Sequence, residues 1–166
     1  AGARGIVFDM RGNPGGYLSA VTAALDVLAP KGEIIVSFDG YAAPVISSSD
    51  SQLTVPAVVI CNGYTASAGE LFTAALRDYA KLEEHPLDVT VIGTTTYKKG
   101  VMQTSYSFSD GSALTLTISY YTPPSGVNYD GVGITPDIVV ENTDDGVDRQ
   151  LECAYRTLSQ KLGIAE

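Results

Sequence analysis

A serine stands among small residues in Thr65-Ala66-Ser67-Ala68-Gly69-Glu70, where an apolar run gives way to a helical pattern. Small neighbours let a substrate backbone come close, and the free N–H groups of a helix start stabilise developing negative charge. Spacing alone leaves two readings: a nucleophile, or an N-cap with Glu70 as its capping-box partner. A nucleophilic serine needs a base. The single histidine, His85, sits in the charged, proline-containing connection Glu83-Glu84-His85-Pro86-Leu87-Asp88 and reads as a solvated surface residue. Lysine is the other option, because desolvation disfavours the ammonium form and lowers its pKa. Lys31, Lys81 and Lys161 read as surface lysines. Lys98 and Lys99 differ, lying in Thr94-Thr95-Thr96-Tyr97-Lys98-Lys99-Gly100 between a buried strand and a hairpin. On composition alone that segment is an exposed basic turn; on chemistry it holds the candidate base.

The composition narrows the field. The 166 residues carry a formal charge of −9. A phosphate-backbone partner requires a dense Lys/Arg surface, so nucleic acid is not expected. No apolar stretch reaches the ~20 residues of a membrane span, and the first residues lack the apolar core of a signal peptide. Two cysteines are too few for a disulfide scaffold or a structural zinc site, so no metal and no cofactor are expected. Cys61 and Cys153 read as small core residues whose pairing is left open. The turn Arg11-Gly12-Asn13-Pro14-Gly15-Gly16 has neither dinucleotide nor P-loop spacing.

The elements that must position these residues follow an α/β alternation. Gly5–Met10, Val55–Cys61 and Val89–Ile92 are short apolar runs that read as buried strands. Leu18, Val21, Leu25 and Leu28 mark one face of a helix that Pro30 stops. A second helix is expected from near Ser67 to about Lys81, with Phe72, Ala75, Leu76 and Tyr79 as its stripe. Strands are expected over Glu33–Phe38 and Pro44–Ile46, with an Asp39-Gly40 turn between them and a polar loop at Ser47–Ser51. From Val101 the period becomes two, and Asp110-Gly111 marks a hairpin turn. In the return strand Leu114, Leu116, Ile118 and Tyr120 alternate with Thr115, Thr117 and Ser119. Residues 122–137, with three prolines and three glycines, read as an irregular excursion before a short edge strand at Ile138–Val140. A last helix is expected to start at Asp144 or Asp145. Most of the ten tyrosines are assigned to packing, with Tyr64 and Tyr97 placed beside the site.

Four spans together resemble the carboxyl-terminal processing, or tail-specific, serine peptidase family. They are Asp9–Gly16, Thr65–Glu70, Thr96–Gln103, and Tyr120-Tyr121-Thr122-Pro123 with Gly131-Val132-Gly133-Ile134-Thr135-Pro136-Asp137. They occur in the family's order over almost the whole chain. The resemblance implies a Ser–Lys dyad, with Ser67 as nucleophile, Lys99 as general base and Gln103 supporting the lysine. It implies an oxyanion hole from the N–H of Ala68 and of a first-turn glycine, Gly15 before Gly16. Glu70 and Thr96 match residues that shape the site. The implied fold is α/β, a ClpP/crotonase-like ββα-superhelix core ending in a β-hairpin and helix.

The resemblance also implies a protein or peptide substrate and an extracytoplasmic location. It implies a catalytic core (1–166) of a longer protein whose upstream PDZ domain and any membrane anchor are absent here. It says nothing of oligomeric state. One departure stands out: the family places glycine before its lysine, where this chain has Lys98. Two other functions remain: a non-catalytic ligand- or peptide-binding module on the same fold, as in the family's retinoid-binding relatives, and a crotonase-like acyl-CoA enzyme, for which the lysine motif has no purpose.

Overall fold

In the computed structural model, residues 2–35, 37–38, 45–47, 52–83 and 86–164 are described. The Asp39-Gly40 turn, Pro44, most of the Ser47–Ser51 loop and His85 lie outside the described residues.

The apolar runs form a parallel sheet. Strands β1 (Ile6–Asp9), β5 (Ala57–Cys61), β6 (Val89–Gly93) and β9 (Ile138–Val139) lie side by side in the order β1-β5-β6-β9. The register is regular, with Ile6 beside Ala57 and Ala57 beside Val89. A parallel sheet is covered on both faces, which is why β5 is apolar at every position and wholly buried. Val59 and Cys61 face helices α1 (Leu18–Leu28) and α2 (Ala68–Tyr79). Val58 and Ile60 face α3 (Arg149–Lys161) with Ala154.

The helices match expectation in part. Helix α1 spans Leu18–Leu28 and buries Val21 and Leu25. Helix α2 buries far more than one stripe: of its residues only Arg77 escapes burial, because the sheet, α1 and the excursion enclose it. Helix α3 begins later than either Asp144 or Asp145. Asp148 caps it, accepting the Leu151 N–H, while Asp145 is taken by the Val147 N–H and the Arg149 guanidinium.

Short pairs flank this core. Strands β2 (Gly32–Ile35) and β4 (Val45–Ser47) are antiparallel, and β3 (Ser37–Phe38) pairs with β8 (Ala113–Thr122). Strand β7 (Val101–Ser107) pairs with β8 as the expected hairpin. The register shifts between Met102 and Gln103, which leaves Ile118 unpaired and places Tyr120 opposite Val101. Tyr120 therefore leaves the face that Leu114 and Leu116 share, and all three are exposed. The next residue, Tyr121, is buried.

Candidate active site

Strand β5 ends at Cys61, and the chain turns sharply before α2. Thr65 anchors the turn: its N–H donates to the Asn62 carbonyl, and its hydroxyl reaches the Met10 carbonyl at 2.9 Å. The Ala66 N–H donates to the Asn13 carbonyl at 2.8 Å, tying this turn to the Gly-rich turn after β1. Ser67 then adopts φ 52°, ψ −117°. A non-glycine residue held in so sparsely populated a region stores about 1–3 kcal/mol of strain, a state the surrounding contacts must impose.

The main contact is Glu70, fully buried in the first turn of α2. Its Oε2 accepts the Ser67 N–H at 3.0 Å and the Lys99 N–H at 2.8 Å. Its Oε1 accepts the Lys98 N–H at 2.7 Å and the Thr96 hydroxyl at 2.5 Å. Four donors replace the water that a buried carboxylate loses. The result is a clamp between the serine turn and the lysine turn. The Tyr97 N–H donates to the Thr65 carbonyl at 2.9 Å and reinforces it.

The excursion over residues 122–137 braces the lysine turn from behind. The Ile134 N–H donates to the Thr96 hydroxyl oxygen, the Gly100 N–H to Asp130 Oδ1, and the Gly131 N–H to the Lys98 carbonyl. Asn128 Nδ2 donates to the Gly100 and Tyr121 carbonyls. The stretch is irregular, as its prolines and glycines imply, and these long-range bonds leave no local pattern in the sequence.

Ser67, Ala68, Gly16, Lys99 and Gln103 line one cavity of about 390 Å³, with Tyr121 as a wall. The two lysines separate clearly: Lys99 is half-buried and lines this cavity, whereas Lys98 is exposed. Lys98 sits at φ 81°, the left-handed region that favours glycine. That explains the family's glycine at this position in terms of backbone shape, not chemistry. Among the described residues no hydrogen bond joins Lys99 to Ser67. Gln103 Nε2 donates to the Thr117 hydroxyl across the hairpin at 3.4 Å.

The two glycines differ. Gly15, at φ 92°, packs so closely against the serine turn that a Cβ would lie 2.7 Å from the Ala66 carbonyl oxygen and 2.8 Å from the Ala68 nitrogen. Its own N–H is already donated to Asn13 Oδ1 at 2.9 Å. Gly16 lines the cavity beside Ala68 instead.

Other chemistries find less support. A larger groove of about 600 Å³ runs past Arg11, Asn62, Tyr64 and Gln150 and holds neither Ser67 nor a lysine. Tyr64 belongs to that groove, not to the cavity beside Ser67. Burial pushes the Cys61 thiol up to about 12, far from thiolate formation at neutral pH, and Cys61 and Cys153 are both free. Among the described residues no group of His, Cys, Asp and Glu could hold a metal, and no helix is long and apolar enough to cross a membrane.

Two tyrosines were missed at the sequence level. Tyr121 and Tyr129 are each 3% exposed, and their rings meet edge to face. The Tyr129 hydroxyl donates to the Tyr121 hydroxyl at 3.0 Å and approaches the Ser67 carbonyl at 3.5 Å. Burial raises both phenols, which keeps them protonated. The available signal was Tyr120-Tyr121-Thr122-Pro123, singled out as a motif without a role for either tyrosine.

Comparison with known proteins agrees with this geometry. The sequence model for Peptidase family S41 matches residues 1–140. A carboxy-terminal-processing protease of Bartonella bacilliformis is 39% identical over 143 residues, which cover 83% of this chain and 31% of that protein. The photosystem II D1 C-terminal processing protease superimposes with a TM-score of 0.73 at 29% identity, over 95% of this chain and 39% of that one. The tricorn protease shares the fold, with a TM-score of 0.71 at 22% identity over 96% of this chain and 15% of its own. The chain thus spans about a third of the length of the curated relative it matches.

Proposed function

The chain belongs to peptidase family S41, and from that premise we propose that it is the catalytic core of a serine endopeptidase that uses a Ser67–Lys99 dyad to cleave unstructured or C-terminal regions of protein substrates. The observation that carries this reading is the single cavity that Ser67, Lys99 and Gln103 share. The finer fold assignment, a ClpP/crotonase-like ββα superhelix, belongs to the same proposal, as does an extracytoplasmic location.

The mechanism is acyl transfer. Lys99 takes the Ser67 proton as Oγ attacks the peptide carbonyl. The tetrahedral oxyanion is held by the N–H of Ala68, at the start of α2, and by that of Gly16. Gly16 is preferred to Gly15 because the Gly15 N–H is committed to Asn13. Removing one such donor typically lowers the rate about a hundred- to a thousandfold. Lys99 then protonates the leaving amine, and water releases the acyl-enzyme. Thr117 holds the Gln103 amide nitrogen, which leaves the carboxamide oxygen to accept from Lys99 and set its direction. Glu70 and Thr96 act through the backbone, tying the serine turn to the lysine turn.

The test is cleavage of an unstructured peptide by the intact protein. Ser67→Ala and Lys99→Ala should each abolish turnover while the thermal midpoint stays near that of the unmodified protein. Binding of the peptide with no cleavage by the unmodified protein would favour a non-catalytic binding module instead.

A further inference from the structure

We propose that helix α1 sets the cleavage preference: the apolar cavity between α1 and α2 takes the side chain of the substrate residue whose carbonyl Ser67 attacks, and Ala20 and Ala24 limit how large that side chain can be. The inference rests on the dyad reading and adds a substrate class to it, peptides with a medium-sized or large apolar residue on the acyl side of the cut bond.

The position follows from what two cavities share. A second cavity, of about 420 Å³, adjoins the one that holds Ser67 and Lys99, and Gly16, Tyr17 and Ala68 line both. Gly16 and Ala68 are the residues whose N–H groups are assigned to the oxyanion, so a carbonyl held there stands where the two cavities meet. That carbonyl has two flanks. The leaving nitrogen must receive its proton from Lys99, and Lys99 lines the Ser67 cavity but not the other. The acyl-side flank therefore points away from Lys99, and its side chain enters the second cavity.

The lining chooses the chemistry. Phe8, Met10 and Phe72 form one wall, with Phe8 and Phe72 meeting edge to face at 5.3 Å. Among the described residues no Asp, Glu, Lys, Arg or His lines this cavity, so an ionised side chain entering it would lose water and gain no partner. Its volume lies in the range of pockets that take whole small ligands, and a leucine or phenylalanine side chain fits within it. Helix α1 and its cap supply a single stripe, Tyr17, Ala20, Val21, Ala24 and Leu28, at helical spacing. Val21 in that stripe is buried, whereas Ala20 and Ala24 are exposed. An open helix face that serves only solvation carries polar residues; here it carries two methyl groups, which leave the space beside them free. A larger side chain at either position would occupy that space.

The experiment times the modification of Ser67 in the intact protein by α-aminoalkyl diphenyl phosphonates that carry the side chain of Ala, Leu, Phe or Glu. A simple alkyl fluorophosphonate, which has no such side chain, is the reference probe. In the unmodified protein the Leu and Phe probes should react about ten- to a hundredfold faster than the Ala probe, on the scale of burying the added carbons. The Glu probe should react no faster than the Ala probe. In Ala24→Phe the advantage of Leu over Ala should shrink to about threefold or less, because the ring fills the space that the added carbons would take. The Ala probe, the reference probe and the thermal midpoint should change little. Ala20→Leu should act in the same way, and it decides should Ala24→Phe fail to fold. Equal rates for the Leu, Ala and Glu probes in the unmodified protein, or an unchanged Leu-to-Ala ratio in the folded variant, overturns the inference and leaves the dyad standing. Failure of the dyad reading looks different: neither the reference probe nor any of the others then modifies Ser67.

Discussion

Glu70 and Lys99 meet through the backbone: the Glu70 Oε2 atom accepts the Lys99 N–H at 2.8 Å while the same oxygen holds the Ser67 N–H at 3.0 Å. One carboxylate oxygen thereby fixes the distance between the two turns that carry the dyad. The Lys99 side chain remains uncommitted by this contact and is directed into the cavity it shares with Ser67.

Glu70→Gln should break this clamp. An amide can accept on one side only, so at least one of the four donors now at Glu70 is left unpaired in a fully buried position. Each such buried group costs about 1–3 kcal/mol. Denaturant unfolding should show a loss of about that size, and peptide cleavage should fall by about a hundredfold or more. Thr96→Val tests the same clamp from the other side, because the Thr96 hydroxyl both donates to Glu70 and accepts the Ile134 N–H at 2.8 Å.

Gly15→Ala and Gly16→Ala should separate support from catalysis. A methyl at residue 15 meets the Ser67 Cβ at 2.9 Å and the Ala66 carbonyl oxygen at 2.7 Å, on a backbone already at φ 92°. That variant should lose several kcal/mol of stability, on the scale of a strained, overpacked site, and nearly all activity. A methyl at residue 16 meets nothing within 4 Å. Its backbone sits at φ 159°, which L side chains rarely adopt, so that variant should lose about 1–3 kcal/mol of stability, less than Gly15→Ala, and keep part of its cleavage.

Lys98→Gly should be tolerated. Lys98 is exposed at φ 81°. Relief of the left-handed backbone is worth about 1–2 kcal/mol, against about 0.4–1 kcal/mol for the added freedom of glycine in the unfolded chain. The thermal midpoint should hold or rise slightly and cleavage should be retained. A large loss of activity would mean that the Lys98 side chain, not its backbone shape, matters.

Acid should unfold the protein partly through the Gly-rich turn. Arg11 pairs with Asp9 at 2.7 Å and with the α3 cap Asp148 at 2.6 Å. The guanidinium holds both carboxyls below the ordinary Asp value of 3.8. A depressed folded pKa means stability that is complete above that ordinary value and lost as pH falls below it. Urea midpoints should therefore be flat from neutral pH to about 5 and decline below about 4. Arg11→Gln should flatten the decline, since it removes the partner that separates folded from unfolded titration. Exposure of both carboxyls, 45% and 38%, keeps the effect small.

Much of the scaffold was legible in the residues. Glycine and proline punctuate β1, α1, β5, α2 and β6 closely enough for local rules to place them within a residue or two. The start of α3 was not legible. Asp144, Asp145 and Asp148 can all cap a helix, and the choice falls to the one that also pairs with Arg11, 137 residues away in sequence. The hairpin face was misjudged for a related reason: the shift at Met102/Gln103 is set by pairing, not by the alternating pattern. At the site, residue types and spacing raised only Ser67 and the Lys98/Lys99 pair as candidates, and the family resemblance implied Glu70, Thr96, Lys99 and Gln103; Ser67, Lys99 and Gln103 line one cavity, and Glu70 and Thr96 join the serine and lysine turns. The placement of Tyr121 and Tyr129 depends on contacts that cross the fold, so the local sequence could not reveal it.

The most direct measurement locates a fluorophosphonate adduct by mass spectrometry and times its formation in the intact protein and in its Lys98→Ala and Lys99→Ala variants. The account requires the adduct on Ser67, formed at about the unmodified rate in Lys98→Ala and at least a hundredfold more slowly in Lys99→Ala, within the range of lost general-base catalysis. An adduct on another residue, or one that forms on Ser67 at the unmodified rate in Lys99→Ala, would contradict it.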